Sequence, residues 1–206
     1  MNFNTKELVT LAVFGVLWGI VEISLGTVLK TLNIPLSGVI LAAIGLSIAL
    51  VGRFFVPHRG STFFIGVIAV IMKLFSLGGV IIGPMIGILS EAIIAEIILS
   101  LSRQPKRFIF IIAGGLGVLW SLFQPFITNP ILFGRSVLMV WLDLLDLGSR
   151  LLGIKTETAY FIMILMVALY FVIGSLGGWF AWEVGKIIQE RMGKTLLLND
   201  VKHKIN

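Results

Sequence analysis

The 206 residues contain no cysteine, which excludes disulfides, thiolate metal sites and a cysteine nucleophile. Charge is also scarce. Only 13% of the chain is charged and 58% is hydrophobic, with a mean hydropathy of +1.08, whereas a soluble domain carries about a quarter charged residues. Too few polar residues are present to cover a soluble exterior. Histidine occurs twice, at His58 and His203, both in or beside polar segments, so no intramembrane histidine metal site is expected. No G-x-S-x-G, H-E-x-x-H or G-x-x-x-x-G-K-[ST] pattern occurs. The chain therefore reads as a non-enzyme without metal or cofactor. If it serves an ATP-driven process, the ATPase is a partner.

What is present is a series of long apolar blocks. They run from about Leu8 to Leu29, Leu36 to Val56, Ser61 to Leu77, Gly83 to Leu101, Phe108 to Thr128 and Thr158 to Val184. Continuous apolar runs of this length suit spanning helices rather than barrel strands, whose residues alternate with period two. Asn33-Ile34-Pro35, Pro57-His58-Arg59-Gly60, Gly78-Gly79, the Arg103–Arg107 stretch and Asn129-Pro130 separate the blocks. No linker or repeat divides the chain, so residues 1–206 read as one transmembrane domain. The first block is too long for a signal peptide and no small-residue cleavage site follows it, so it is expected to be retained.

The stretch from about 134 to 155 is different. Its apolar residues are interrupted by Asp143, Asp146 and Arg150. That pattern predicts a short interfacial helix, or a loop folded over the protein. From Lys186 to Asn206 the chain reads as a basic tail.

The net charge of +6 points to the membrane rather than to a nucleic acid, because the basic residues lie between apolar blocks and form no single stripe. With the N-terminus inside, Arg53, Arg59, Arg103, Lys106, Arg107, Lys186, Arg191, Lys194, Lys202 and Lys204 are cytoplasmic. Outside remain Lys30, Arg135, Arg150 and Lys155, partly balanced by Asp143, Asp146 and Glu157. The positive-inside rule selects this orientation. The expected architecture is an all-α, six-helix transmembrane bundle in the cell membrane with both termini cytoplasmic.

Glu22, Lys73, Glu91 and Glu96 fall inside apolar blocks. An ionised group at bilayer depth costs about 2.5–3.5 kcal/mol or more, so such groups face the protein interior. Small residues share their helical faces: Gly15, Gly19 and Gly26 with Glu22, Gly66 and Ala69 with Lys73, Gly87 and Ala95 with Glu91. Two readings stand for Lys73 and Glu91. They form a structural ion pair between the third and fourth spans, or they hold a polar ligand or move protons. Glu96, about 140° round the helix from Glu91, reads as structural.

Trp179 and Trp182 fit an interfacial belt. Trp18, Trp120 and Trp141, with Gln124, Asn129 and Glu22, would together suit a flat, polar, ring-containing ligand in the outer half of the membrane, capped by the 135–155 segment. Ordinary packing accounts equally well for any one of the tryptophans.

In length, span count, cytoplasmic ends and long outer segment before the last span, the chain resembles the substrate-binding (S) components of energy-coupling-factor vitamin transporters. The local likeness lies in Val51-Gly52-Arg53 through Pro57-His58-Arg59-Gly60 and in Gly83-Pro84-Met85-Ile86-Gly87-Ile88-Leu89-Ser90-Glu91. That resemblance implies high-affinity capture of a vitamin or vitamin precursor, of the thiamine/pyrimidine type among others. It implies as partners a transmembrane coupling (T) protein and two cytoplasmic ATPases. The family's Ala-x-x-x-Ala docking pattern is not kept, since Ala12 is followed by Val16, but Gly15 and Gly19 preserve small-residue spacing. Two other classes remain open: an ion-coupled secondary transporter acting alone through Glu22, Lys73 and Glu91, and a structural membrane protein.

Overall fold

The computed structural model of the protein describes residues 3–76, 82–102, 104–153 and 158–205, with side chains given except for Lys30 and those after Met192. Calls on Leu77, Gly78-Gly79, Arg103, Lys155 and Glu157, and on the side chains of Lys30, Lys194, Lys202, His203 and Lys204, lie outside the described residues. The described chain is helical throughout its regular structure: α1 (Thr5–Thr31), α2 (Ser37–Phe55), α3 (Ser61–Lys73), α4 (Ile82–Ser100), α5 (Arg107–Phe133), α6 (Val137–Leu152) and α7 (Ala159–Ile205). Five of these, α1, α2, α4, α5 and α7, are long and apolar enough to cross a membrane. The third expected span falls short. With 13 residues, α3 is about 20 Å long against a hydrocarbon core of about 30 Å.

The helix ends follow local chemistry. Asn4 and Glu7 cap α1 reciprocally, each side chain accepting the other's backbone N–H at 2.9 Å. Gly134 closes α5 in the left-handed conformation at φ 62°. The oxygen of Ser136 then caps α6 by accepting the Met139 N–H. Two expected ends are corrected. Asn129-Pro130 does not stop α5, which carries both Pro125 and Pro130 and runs on to Phe133. A proline forfeits one backbone donor, which a spanning helix packed in protein tolerates. The expected tail beyond Lys186 is also helical in backbone. At 47 residues, α7 is about 70 Å long and extends well beyond a bilayer's width.

Packing partners fix the helix directions. Gly15 and Gly19 of α1 meet Ile68 and Met72 of α3, so these two run parallel. Gly45 meets Trp18, Gly66 meets Ala92, Gly87 meets Gln124, and Gly114 meets Gly174, each an antiparallel neighbour with its register descending. Hence α1, α3 and α5 point one way and α2, α4 and α7 the other. Asn4, Arg53, Arg59, Lys106 and Arg107 gather at one end of the bundle, which we call the basic end. The tightest contact is between α5 and α7, where a Cβ on Gly114 or Gly178 would overlap the facing backbone carbonyl. Below, Trp182 stands edge-on to Phe54 and Phe110 at 5.2 Å. The Arg107 guanidinium lies 6.0 Å above Trp179.

Candidate functional site

At the end of the bundle opposite the basic residues, α1 to α5 enclose a cavity of about 380 Å³. That volume falls in the range of small-molecule sites. Its charged wall is made by Glu22 of α1, Lys73 at the last turn of α3 and Glu91 in mid-α4, all at least nine-tenths buried. Leu41, Ala42, Ile88 and Phe133 supply an apolar wall, and Gln124 and Asn129 add amides.

The buried ion pair is not Lys73 with Glu91. The Lys73 Nζ donates to the Glu22 backbone carbonyl at 2.9 Å and lies 3.4 Å from the Glu22 carboxylate. The reason is the parallel packing of α1 on α3. It brings residue 22 level with residue 73, just as it brings 19 level with 72. Among the described residues Glu91 makes no hydrogen bond or ion pair, although it is only 4% exposed.

Gln124 and Asn129 line the cavity as expected, and Glu22 with them. The three tryptophans do not. Trp18 is wholly buried one turn deeper on α1, its indole lying over Gly45 of α2 and close to Gly66 of α3. It fills the floor of the bundle, where two glycines opposite it leave room for the ring. Trp120 is half-buried, and its indole N–H lacks an acceptor among the described residues. Trp141 packs against Phe126 at 6.4 Å and borders a separate hollow with Tyr160 and Met163 of α7.

The expected cap is likewise displaced. α6 is a helix with Val137, Leu138, Met139 and Leu142 exposed, as an interfacial element requires. Its buried face, Val140, Leu145 and Gly148, packs beside Ile162 and Met166 of α7. Consequently no α6 residue lines the cavity. The proposed docking face is also corrected. Gly15 and Gly19 are covered by α3, and Ala12 is half-buried; the exposed stripe of α1 is Val9, Val13, Leu17 and Ile20.

Several lining residues escaped the sequence reading, among them Ser37, Ser121 and Thr128. One signal was visible. Pro125 has no N–H to return to the Ser121 carbonyl four residues earlier, and both residues lie in the cavity wall. Gln124 also does more than line it, since its Nε2 donates to the Gly83 carbonyl at 2.7 Å and ties α5 to the first turn of α4.

No family model matches the chain, and no curated protein or solved structure matches it. What it does must therefore be read from the cavity.

Proposed function

We propose that this chain is the membrane-embedded binding component of an uptake system for a small vitamin-like molecule, of the energy-coupling-factor S-component kind. In this reading it has six spans, with α3 as the core of the third, and it sits in the cell membrane with both termini in the cytoplasm. A coupling protein and two ATPases supply the energy. The observation that carries the reading is a ligand-sized cavity walled by buried charge at the end away from the basic residues. The gathering of Arg53, Arg59, Lys106 and Arg107 at the other end supports the orientation. The absence of a phosphate-cradling loop from the sequence supports the need for separate ATPases. With Gly15 and Gly19 covered, the Val9–Ile20 stripe of α1 is the surface left for a coupling protein.

One observation favours a second reading, an ion-coupled secondary transporter: Glu22, Lys73 and Glu91 converge on one cavity, as a titrating relay requires. Uptake by the chain alone in proteoliposomes separates the two. The binding component retains ligand but accumulates none, with or without a proton or sodium gradient. Gradient-driven accumulation without any added ATPase would establish the transporter instead.

A further inference from the structure

The cavity's charges do not balance. Lys73 is committed to Glu22, through both its backbone carbonyl and its carboxylate. Glu91 is left as a second carboxylate on the same wall, with no hydrogen bond or ion pair among the described residues. Of the described lining side chains, only these three are ionisable, so the formal charge of the described set is one negative. A carboxylate held this far from water stays ionised only when a partner meets it. Nothing else on the described walls does so: the Gln124 amide nitrogen is taken by Gly83, and the Thr128 hydroxyl donates to the Gln124 carbonyl.

An inorganic cation is a poor candidate for the missing partner. No group of three acidic or histidine side chains suited to a metal occurs among the described residues, and hard cations take six or more oxygens. The space is also far larger than an ion needs, and much of its wall is apolar, with Leu41, Ala42, Ile88 and Phe133. Those features suit a molecule with an apolar body and a charged N–H group.

We infer that the cavity takes a small organic cation, with Glu91 as the carboxylate that receives its N–H donors and the Leu41–Ile88–Phe133 wall covering its body. This rests on the binding reading above and names the ligand class for it. A planar, two-pronged donor such as an amidinium or a protonated aminoheterocycle matches a carboxylate best, because both oxygens are engaged at once. The Glu22–Lys73 pair sets the selectivity. Lys73 repels a second ammonium from the Glu22 side, so the cationic end is directed to Glu91, and an anion would meet an unpaired carboxylate there.

Benzamidinium, benzamide and benzoate test this, since they share one body and differ in charge. The full-length protein in lipid nanodiscs is titrated with each, reading affinity and thermal shift. Benzamidinium binds the wild type at least tenfold more tightly than either other probe. Glu91→Gln, which keeps the shape, loses at least tenfold of that affinity and erases the preference. Glu91→Asp retains the preference if the isosteric variant folds poorly. An equal response to the three probes, including no response, overturns the assignment, as does a preference that survives Glu91→Gln. The uptake assay judges the binding-component reading separately, so either inference falls without the other.

Discussion

The bundle buries charge at both ends, and the two clusters are built to different ends. At the basic end, Glu96 accepts the backbone N–H of Gly60 at 2.6 Å and of Thr62 at 2.9 Å, and the Ser100 hydroxyl at 2.6 Å. The Arg53 guanidinium lies 3.6 Å away. A carboxylate over the first turn of α3 satisfies donors that a helix start leaves unpaired and meets the positive end of its dipole. Both Glu96 oxygens are engaged. Glu91, also in α4 but five residues earlier and at the helix's middle, borders the cavity and makes no such bond among the described residues. Burial alone therefore does not separate a structural carboxylate from a ligand-binding one; saturation of its oxygens does.

That contrast is broken most directly at Glu96. Glu96→Ala removes three hydrogen bonds and leaves Arg53 buried without its counter-charge. Breaking a buried pair by removing one partner costs about 3–5 kcal/mol, so thermal unfolding in detergent should show a large drop or loss of the folded species. Glu91→Gln, by contrast, removes no hydrogen bond seen in the structure, and its stability should stay within about 1 kcal/mol of wild type. Comparable losses in the two variants would erase the distinction between the clusters.

The next effect in size concerns the pair at the cavity itself. Lys73→Met leaves the Glu22 carboxylate at bilayer depth without its ammonium, which should cost about 3 kcal/mol. Adding Glu22→Leu should recover much of this, because replacing both ions by apolar groups removes the uncompensated charge. Lys73→Met with Glu91→Leu should recover little. Equilibrium unfolding of the three variants reads the coupling, and recovery through residue 91 instead of residue 22 would reassign the pair.

The sequence carried the apolar blocks and the inward charges, because a residue that cannot face lipid must face protein whatever its neighbours are. It also carried the structural role of Glu96, since position round a helix follows from residue count. Partner choice was not legible. Whether Lys73 meets Glu22 or Glu91 depends on how far α3 slides along α1, and that register is set by Gly15 against Ile68 and Gly19 against Met72. The same glycines, which the sequence offered both as part of the inward face beside Glu22 and as a docking stripe, are where two helices touch. The tryptophans misled for a related reason. Trp18 is one turn from Glu22 and shares its face, yet that turn is the difference between a cavity wall and a packed floor, and only Gly45 and Gly66 opposite it mark which one it is. α5 outran its prolines because packing in the bundle overrides local preference for a break.

The smallest expected effect sharpens the comparison, because Gln124 stands between the two kinds of site. Its Nε2 is spent on the Gly83 carbonyl, as Glu96 is spent on α3, while it also borders the cavity, as Glu91 does. If the amide is chiefly a tie between α4 and α5, Gln124→Ala loses one neutral hydrogen bond, worth about 1 kcal/mol. Gly83 lies in the first turn of α4, so its carbonyl keeps the prospect of an intrahelical donor and is not stranded. Benzamidinium affinity should then fall by no more than about threefold, against at least tenfold for Glu91→Gln; in energy that is about 0.6 against 1.4 kcal/mol. Unfolding and titration of the same nanodisc samples measure both quantities at once. An affinity loss as large as that of Glu91→Gln, with stability unchanged, would place the amide in direct contact with the ligand and move the anchor from α4 to α5.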